Sequence, residues 1–303
     1  MSATLGTSSV PLGTSNPVTR NKSRNSPWIY VFLTAVAVLW LVPLVWTLYT
    51  SLRPNAATTS LGYFSIGGGV TFSNFSTAWN SGFAGYLLNS ALITIPAVII
   101  TLFLASCVAF AVSRFAWKFN VSLLILFTAG NLLPPQILAT PIYQLFKNLP
   151  LPLTVSDSGS LLNTYYGVII MNVAFQVGFC TFVLSNYMKA LPDELGEAAR
   201  VDGASVWRQY RSIIMPLCRP ALGALATLEV IWIYNDFFWA LLLVQTGSRL
   251  PITTAINNLK GEFVNNYNLI AAGAMITVIP TLIIYFVLQR QFVAGLTLGA
   301  SKG

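Results

Sequence analysis

The sequence predicts an all-α integral membrane protein of six transmembrane helices, and three observations lead there. Of its 303 residues, 55% are hydrophobic and 8% are charged, against the roughly 25% charge of an ordinary soluble domain. Five stretches carry no charge over membrane-spanning length, 25–52, 84–113, 119–146, 158–188 and 263–289, and a sixth, 220–245, is interrupted only by Glu229 and Asp236. The basic residues are also lopsided: with the N-terminus inside, the inner segments hold 12 Lys and Arg and the outer ones 4.

A spanning helix needs about 20 mainly apolar residues, which gives six helices near 28–50, 84–113, 121–146, 161–187, 220–245 and 268–289. The runs contain β-branched residues, Gly and Pro (Pro43, Pro96, Pro134, Pro135, Pro280). In lipid the backbone must satisfy its own hydrogen bonds, so helix remains the reading at this length, and a barrel would need short alternating segments instead. The first helix is too long for a secretory signal and no small-residue cleavage pattern follows, so it is expected to be retained. Residues 1–27 are rich in Ser, Thr, Asn and Pro without an acid, the composition of a disordered tail. The expected domains are that tail, a membrane domain over 28–292 and a terminal tail over 293–303.

Between the spans, the outer segment 53–83 mixes Gly, Ser and aromatics, and the inner connection 114–120 is minimal, so helices two and three should form a tight pair. The largest inner segment, 189–219, together with its flank holds nine of the 24 charges. The 12 to 4 split follows the positive-inside bias and places both termini in the cytoplasm. The net charge of +8 therefore reports topology, and no nucleic-acid partner is implied. Cys107, Cys180 and Cys218 are isolated and the chain has no His. Neither a disulfide framework nor a zinc spacing is present, and imidazole chemistry is excluded.

Local chemistry predicts a helix–turn–helix inside 189–219. Pro192 suits a first helical position, and Asp193 and Glu194 favour the positive end of a helix dipole. Glu197, Ala198, Ala199 and Arg200 continue the helix, Asp202-Gly203 breaks it, and Ser205 is the N-cap of a second helix ending before Met215-Pro216. The wording "EAARVDGASVWRQYRSIIMPLCRPAL" resembles the EAA signature of ABC-importer permeases, on Glu197, Ala198, Ala199, Asp202, Gly203, Ala204 and Pro216. Met215 stands where the family commonly has Leu. "LLPPQILATPIYQLF", "LLNTYYGVII", "NDFFWALLLV" and "QRQFVAGLTLGASKG" extend the resemblance to the maltose-type carbohydrate permeases, from about residue 28 to the C-terminus.

That resemblance implies the type I importer permease fold in a bacterial cytoplasmic membrane, with the loop between helices four and five as a coupling helix seated in a cytoplasmic ATP-binding subunit. Glu197 would make polar contacts there, Ala198 and Ala199 would permit close approach, and Gly203 would supply the bend. It further implies a second homologous permease, two ATP-binding subunits, an extracytoplasmic substrate-binding protein and a sugar cargo, with glycerol phosphate-type cargo as an alternative. The chain has no G-x-x-x-x-G-K-[ST] run, so ATP and Mg belong to the partner subunits and none is expected here.

Glu229 and Asp236 are the charges inside a span, and each would cost about 2.5–3.5 kcal/mol at a lipid-facing helix centre. Glu229, Trp232, Asp236 and Trp239 fall on one face of an uninterrupted helix, and Asn172 and Gln176 make a matching stripe with Phe175 and Phe179 on the fourth helix. Carboxylates beside aromatic rings suit sugar binding, and buried polar residues also bind helices together; both roles stay open. A proton-coupled secondary transporter built on Glu229 or Asp236 is a competing class, weakened by the lack of an internal repeat. An intramembrane enzyme lacks a clustered acid pair or metal spacing.

Overall fold

The computed structural model describes residues 27–115, 117–245, 247–260 and 266–300, with side chains as far as residue 289. The expected N-terminal tail, with Arg20, Lys22 and Arg24, lies outside the described residues, apart from Pro27, which opens the first helix. The last three residues also lie outside them. Two compact units divide between Val45 and Trp46, within the first helix.

Helix α1 runs Pro27–Leu52. A short α2, Asn55–Leu61, and α3, Ser73–Ala78, follow on the outer side of the predicted topology. A π-helical stretch, Trp79–Phe83, then leads into α4, Ala84–Arg114. The second apolar helix thus begins at Ser73, earlier than its uncharged core suggested. Gly82, at φ 100°, absorbs the irregular backbone between α3 and α4, a conformation that costs a residue without Cβ little.

The third predicted span is not one helix. It divides into α5, Asn120–Gly130, and α6, Ala139–Asn148, the latter preceded by a 3-10 turn over Pro135–Leu138. The two arms are bent by 88°. Consecutive prolines explain this: each removes a backbone donor and pushes its predecessor out of helical geometry, and Pro134 is extended at ψ 125°.

Helix α7, Tyr165–Lys189, starts at an N-cap: Thr164 Oγ1 accepts from the Gly167 amide at 3.1 Å. The polar loop forms α8, Glu194–Val201, and a second arm made of α9, Val206–Arg208, a π-helical stretch Gln209–Ile214, and α10, Met215–Leu217. That arm meets α11, Arg219–Tyr234, at 75°.

The fifth predicted span also breaks. Helix α11 ends at Tyr234, and α12 occupies Phe238–Leu243. The side chains that break it are local competitors for the backbone: Asn235 donates to the Ile231 carbonyl at 2.7 Å, and Asp236 Oδ1 accepts from the Trp239 amide at 3.2 Å. The connecting segment then carries α13, Ile252–Ala255, before α14, Tyr267–Ala300. Helix α14 runs on through most of the segment set apart as a terminal tail.

Among the described residues four helices are long and apolar enough to cross a membrane, or up to six if each bent pair is one span. Helix α4 is the centre of the packing, against both α7 and α11, while α5 leans on α7 and α14 on α11 and α3. Ile93, Ala97, Val98, Val168 and Ile233 form one buried cluster, and Ala105, Phe110, Leu184, Tyr210 and Ile214 belong to a second, nearer the polar loop. Gly178 permits the α5–α7 approach: a Cβ there would sit 2.7 Å from the Phe127 carbonyl oxygen.

Candidate functional site

The polar loop has the expected helix–turn–helix, but α8 starts at Glu194, two residues past Pro192, and the second arm continues through Met215 and Pro216 to Leu217. Gly203 takes φ 72°, the left-handed value that lets α8 exit. Three backbone bonds wind the exit: Asp202 to the Ala198 carbonyl at 3.0 Å, Gly203 to Arg200 at 3.0 Å and Ala204 to Ala199 at 2.9 Å. Ser205 caps the second arm, accepting from the Arg208 amide at 3.3 Å. Asp193 stands at the α8 N-cap, but its side chain makes no cap hydrogen bond.

Its carboxylate is taken by Arg114 instead, at 2.8 Å. The same guanidinium donates to the Met188 carbonyl at 2.8 Å and to Leu191 at 3.4 Å, so one side chain at the end of α4 holds both the end of α7 and the start of α8. Tyr210 makes the second brace. Its hydroxyl lies 2.8 Å from Ser106 Oγ on α4, and its ring packs edge-on against Phe110 at 5.4 Å. Gln209 Nε2 closes the turn onto the Ala204 carbonyl at 2.8 Å.

The loop therefore has a fixed inner side and a free outer side. Ala199 is buried, while Glu197, Ala198, Asp202, Gly203 and Pro216 are exposed and Ala204 is half-buried. Large apolar side chains sit among these exposed polar ones: Val201 is 88% exposed, and Val206 and Trp207 are more than half exposed. A surface of mixed apolar and charged side chains projecting from a rigid base has the composition of a protein contact. Between α8, the second arm and the end of α4 lies a cavity of about 660 Å³, reached by Arg114, Asp193, Glu197, Arg200 and Gln209.

The second set of candidate residues forms a seam between α7 and the α11–α12 pair. The break after Tyr234 means that Glu229, Trp232, Asp236 and Trp239 do not share one continuous helical face, which corrects the stripe drawn from spacing. They meet α7 at two levels. Near the start of α7, Asn172 Nδ2 donates to Asp236 Oδ2 at 3.2 Å, and the Phe175 and Trp239 rings lie 5.2 Å apart. Deeper, the Phe179 and Trp232 rings lie 5.3 Å apart, and Cys180 Sγ donates to Glu229 Oε1 at 3.1 Å. Glu229 is 0% exposed and its Oε2 has no hydrogen-bond partner. Gln176 is half-buried on α7. Among the described residues no group of three or more Cys, Asp or Glu gathers in a metal-binding arrangement.

Sequence reasoning missed the bracing residues. Arg114 and Tyr210 were read only as an inner charge and a loop residue. Asn163 and Arg53 were not singled out either. Asn163, at φ 57°, donates its amide to the Leu243 carbonyl at 2.8 Å and accepts from the Gln245 amide, joining the α6–α7 loop to the end of α12. Arg53 is 1% exposed and donates to the Gly62 and Ala57 carbonyls and to Ser65 Oγ at 2.8–3.1 Å. A lone cation after a span, with acceptors only in the following Gly- and Ser-rich segment, was the available signal.

Comparison with known proteins bears on this geometry. Residues 97–297 match the family model described as the binding-protein-dependent transport system inner membrane component. A putative ABC transporter permease protein from a Caldicellulosiruptor species is 30% identical over 91% of this chain and 97% of its own length. The melibiose/raffinose/stachyose import permease protein MelC of Bacillus subtilis is 29% identical over 88% of this chain and 94% of its own. Among solved structures, a chain from the crystal structure of a bacterial ABC transporter that imports the acidic polysaccharide alginate superposes with a TM-score of 0.72. It is 20% identical and covers 93% of this chain and 100% of that one, a likeness of fold.

Proposed function

We propose, from the premise that this chain belongs to the family of binding-protein-dependent transport inner membrane components, how it works. It is a permease subunit of a sugar importer that depends on a binding protein. Its cargo class follows the relatives named for oligosaccharide import. The chain is a transport subunit, and the energy enters from outside: two ATP-binding subunits, holding ATP and Mg, grip the exposed side of the 189–219 loop. A second homologous permease completes the pathway, and an extracytoplasmic binding protein delivers the sugar. Counting each bent pair as one span gives six, with both termini in the cytoplasm by the charge bias.

One observation carries the reading. The loop presents Glu197, Ala198, Val201 and Trp207 outward while Arg114 and Tyr210 fix its inner side to α4. A contact surface on an elastic support would dissipate a partner's motion; one braced at two points passes it to the membrane helices. For ATP to drive the change, the partner must bind the two permease states with different affinity.

Within the membrane the seam residues divide by role. Glu229 is enclosed between α7 and α11 with the Cys180 thiol and serves as helix glue. Asp236, Asn172 and Trp239 lie where the helix breaks, and these are the residues assigned to the pathway. Trp232 and Gln176 are packing neighbours of that seam. The test is energisation in proteoliposomes holding the whole importer. Uptake should require ATP and an intact ATP-binding subunit and survive collapse of the proton gradient. Uptake that follows the proton gradient without ATP would overturn the reading.

A further inference from the structure

Helix α4 is neither neighbour in sequence of the 189–219 loop, yet it carries two of the side-chain braces that hold it, beside the Tyr187 hydroxyl of α7, which donates to the Leu217 carbonyl at 3.3 Å. Arg114, with its side chain 9% exposed, ties the α7 end and the α8 start, and Ser106 meets the hydroxyl of buried Tyr210. The opposite end of α4 is tied just as specifically. Asn89 Nδ2 donates to the Ser248 and Leu250 carbonyls, both at 3.0 Å, and Ser90 Oγ accepts from the Ile252 amide at 2.9 Å. Tyr165 on α7 donates to Asn89 Oδ1 at 2.7 Å and fixes the orientation of that amide. The segment so held reaches the break in the fifth span, where Thr253 Oγ1 donates to the Asp236 carbonyl at 3.0 Å.

From this juxtaposition we propose that α4 is the transmission rod of the subunit. It carries displacement of the cytoplasmic loop across the membrane to the 248–253 segment that covers Asp236. Asn89 and Arg114 are separated by roughly 37 Å of helical rise, enough to cross the hydrocarbon core. Pro96 deletes one internal hydrogen bond from the rod, and the buried Ile93, Ala97 and Val98 pack against α7 on either side of it. Helices α7 and α11, which flank the loop in the chain, follow α4 through packing. Arg114, Tyr210 and Asn89 are thus positioning residues for coupling. A rod of this kind gives a response at one end to a change at the other.

The inference rests on the loop receiving the ATP-binding subunit, and the experiment separates the two. Ser248 is exposed, so S248C in the assembled importer reports the outer end through its labelling rate with an impermeant maleimide. Trapping the ATP-binding subunits with ADP and vanadate should change that rate in the parent. Tyr210→Phe keeps the ring and removes the brace; losing one net hydrogen bond should shrink the nucleotide-dependent change about fivefold. Arg114→Met should abolish the change and Arg114→Lys, which keeps a donor toward Asp193, should retain part of it. Asn89→Leu should uncouple the outer end while the ATP-binding subunit still co-purifies. An undiminished change in Tyr210→Phe and Asn89→Leu overturns the rod, as does no change in a parent whose loop cross-links to the ATP-binding subunit. A parent loop that cross-links to no ATP-binding subunit overturns the proposed function and the rod together.

Discussion

Replacing Gly203 probes the turn on which the shape of the loop depends. Its φ is 72°, and a Cβ built there meets no atom within 4 Å. Sterics against neighbours are therefore absent, and the penalty is conformational alone. Holding an L-residue in left-handed geometry costs about 1–2 kcal/mol, which lowers the population of the native turn roughly five- to thirtyfold. Asn tolerates that geometry best, Ala pays the full cost, and a β-branched side chain pays more. Co-purification of the ATP-binding subunit at limiting concentration, with ATP-driven uptake measured alongside, should fall in the order Gly, Asn, Ala, Val. The thermal transition of the membrane domain should stay in place, because a Cβ at Gly203 meets no atom of it. Equal capture and uptake in all four proteins would refute the reasoning, as would a loss that tracks unfolding.

Other substitutions test the packing and the seam. Gly178→Ala puts a Cβ 2.7 Å from the Phe127 carbonyl oxygen, and overpacking of this kind costs about 1–3 kcal/mol; the purified protein should melt earlier, while Gly85→Ala, in open space, should not. Glu229→Gln keeps an acceptor for the Cys180 thiol, so yield and uptake should stay near the parent's, whereas Glu229→Lys should prevent accumulation in the membrane. Asp236→Ala removes both the cap on the Trp239 amide and the Asn172 partner; a lost cap costs about 0.5–2 kcal/mol, and uptake should fall more than expression does. Arg53→Met removes the guanidinium that ties the Ala57 and Gly62 carbonyls and Ser65 Oγ together, and the 53–72 segment should become the first site cut by added protease.

The long apolar helices were legible because uncharged length is a physical requirement of the bilayer and is written in the composition. The turn at Gly203 and the cap at Ser205 were legible for a similar reason: each depends on its own backbone and on residues within a few positions. The helix breaks were less so. Pro134-Pro135 announced the first, but hydropathy continued through it to Phe146, and length outweighed local chemistry. The second break lies at Asn235-Asp236, where side-chain bonds to nearby backbone interrupt a run that hydropathy reads as continuous. The braces could not be read at all. Arg114 and Asp193 are 79 positions apart, and Ser106 and Tyr210 are 104, and nothing in spacing pairs residues across so many intervening helices. Hence the loop's outward face was visible in the sequence and its mechanical support was not.

On the proposed function, the exposed side of this loop is held by a separate ATP-driven subunit. A photo-crosslinking side chain placed at exposed Ala198 in the assembled importer tests it most directly, with Phe64, an exposed residue of the 53–72 segment, as the comparison site. Illumination should capture the ATP-binding subunit at position 198 and not at position 64. Capture of lipid alone at 198, from an importer that transports normally, would contradict it.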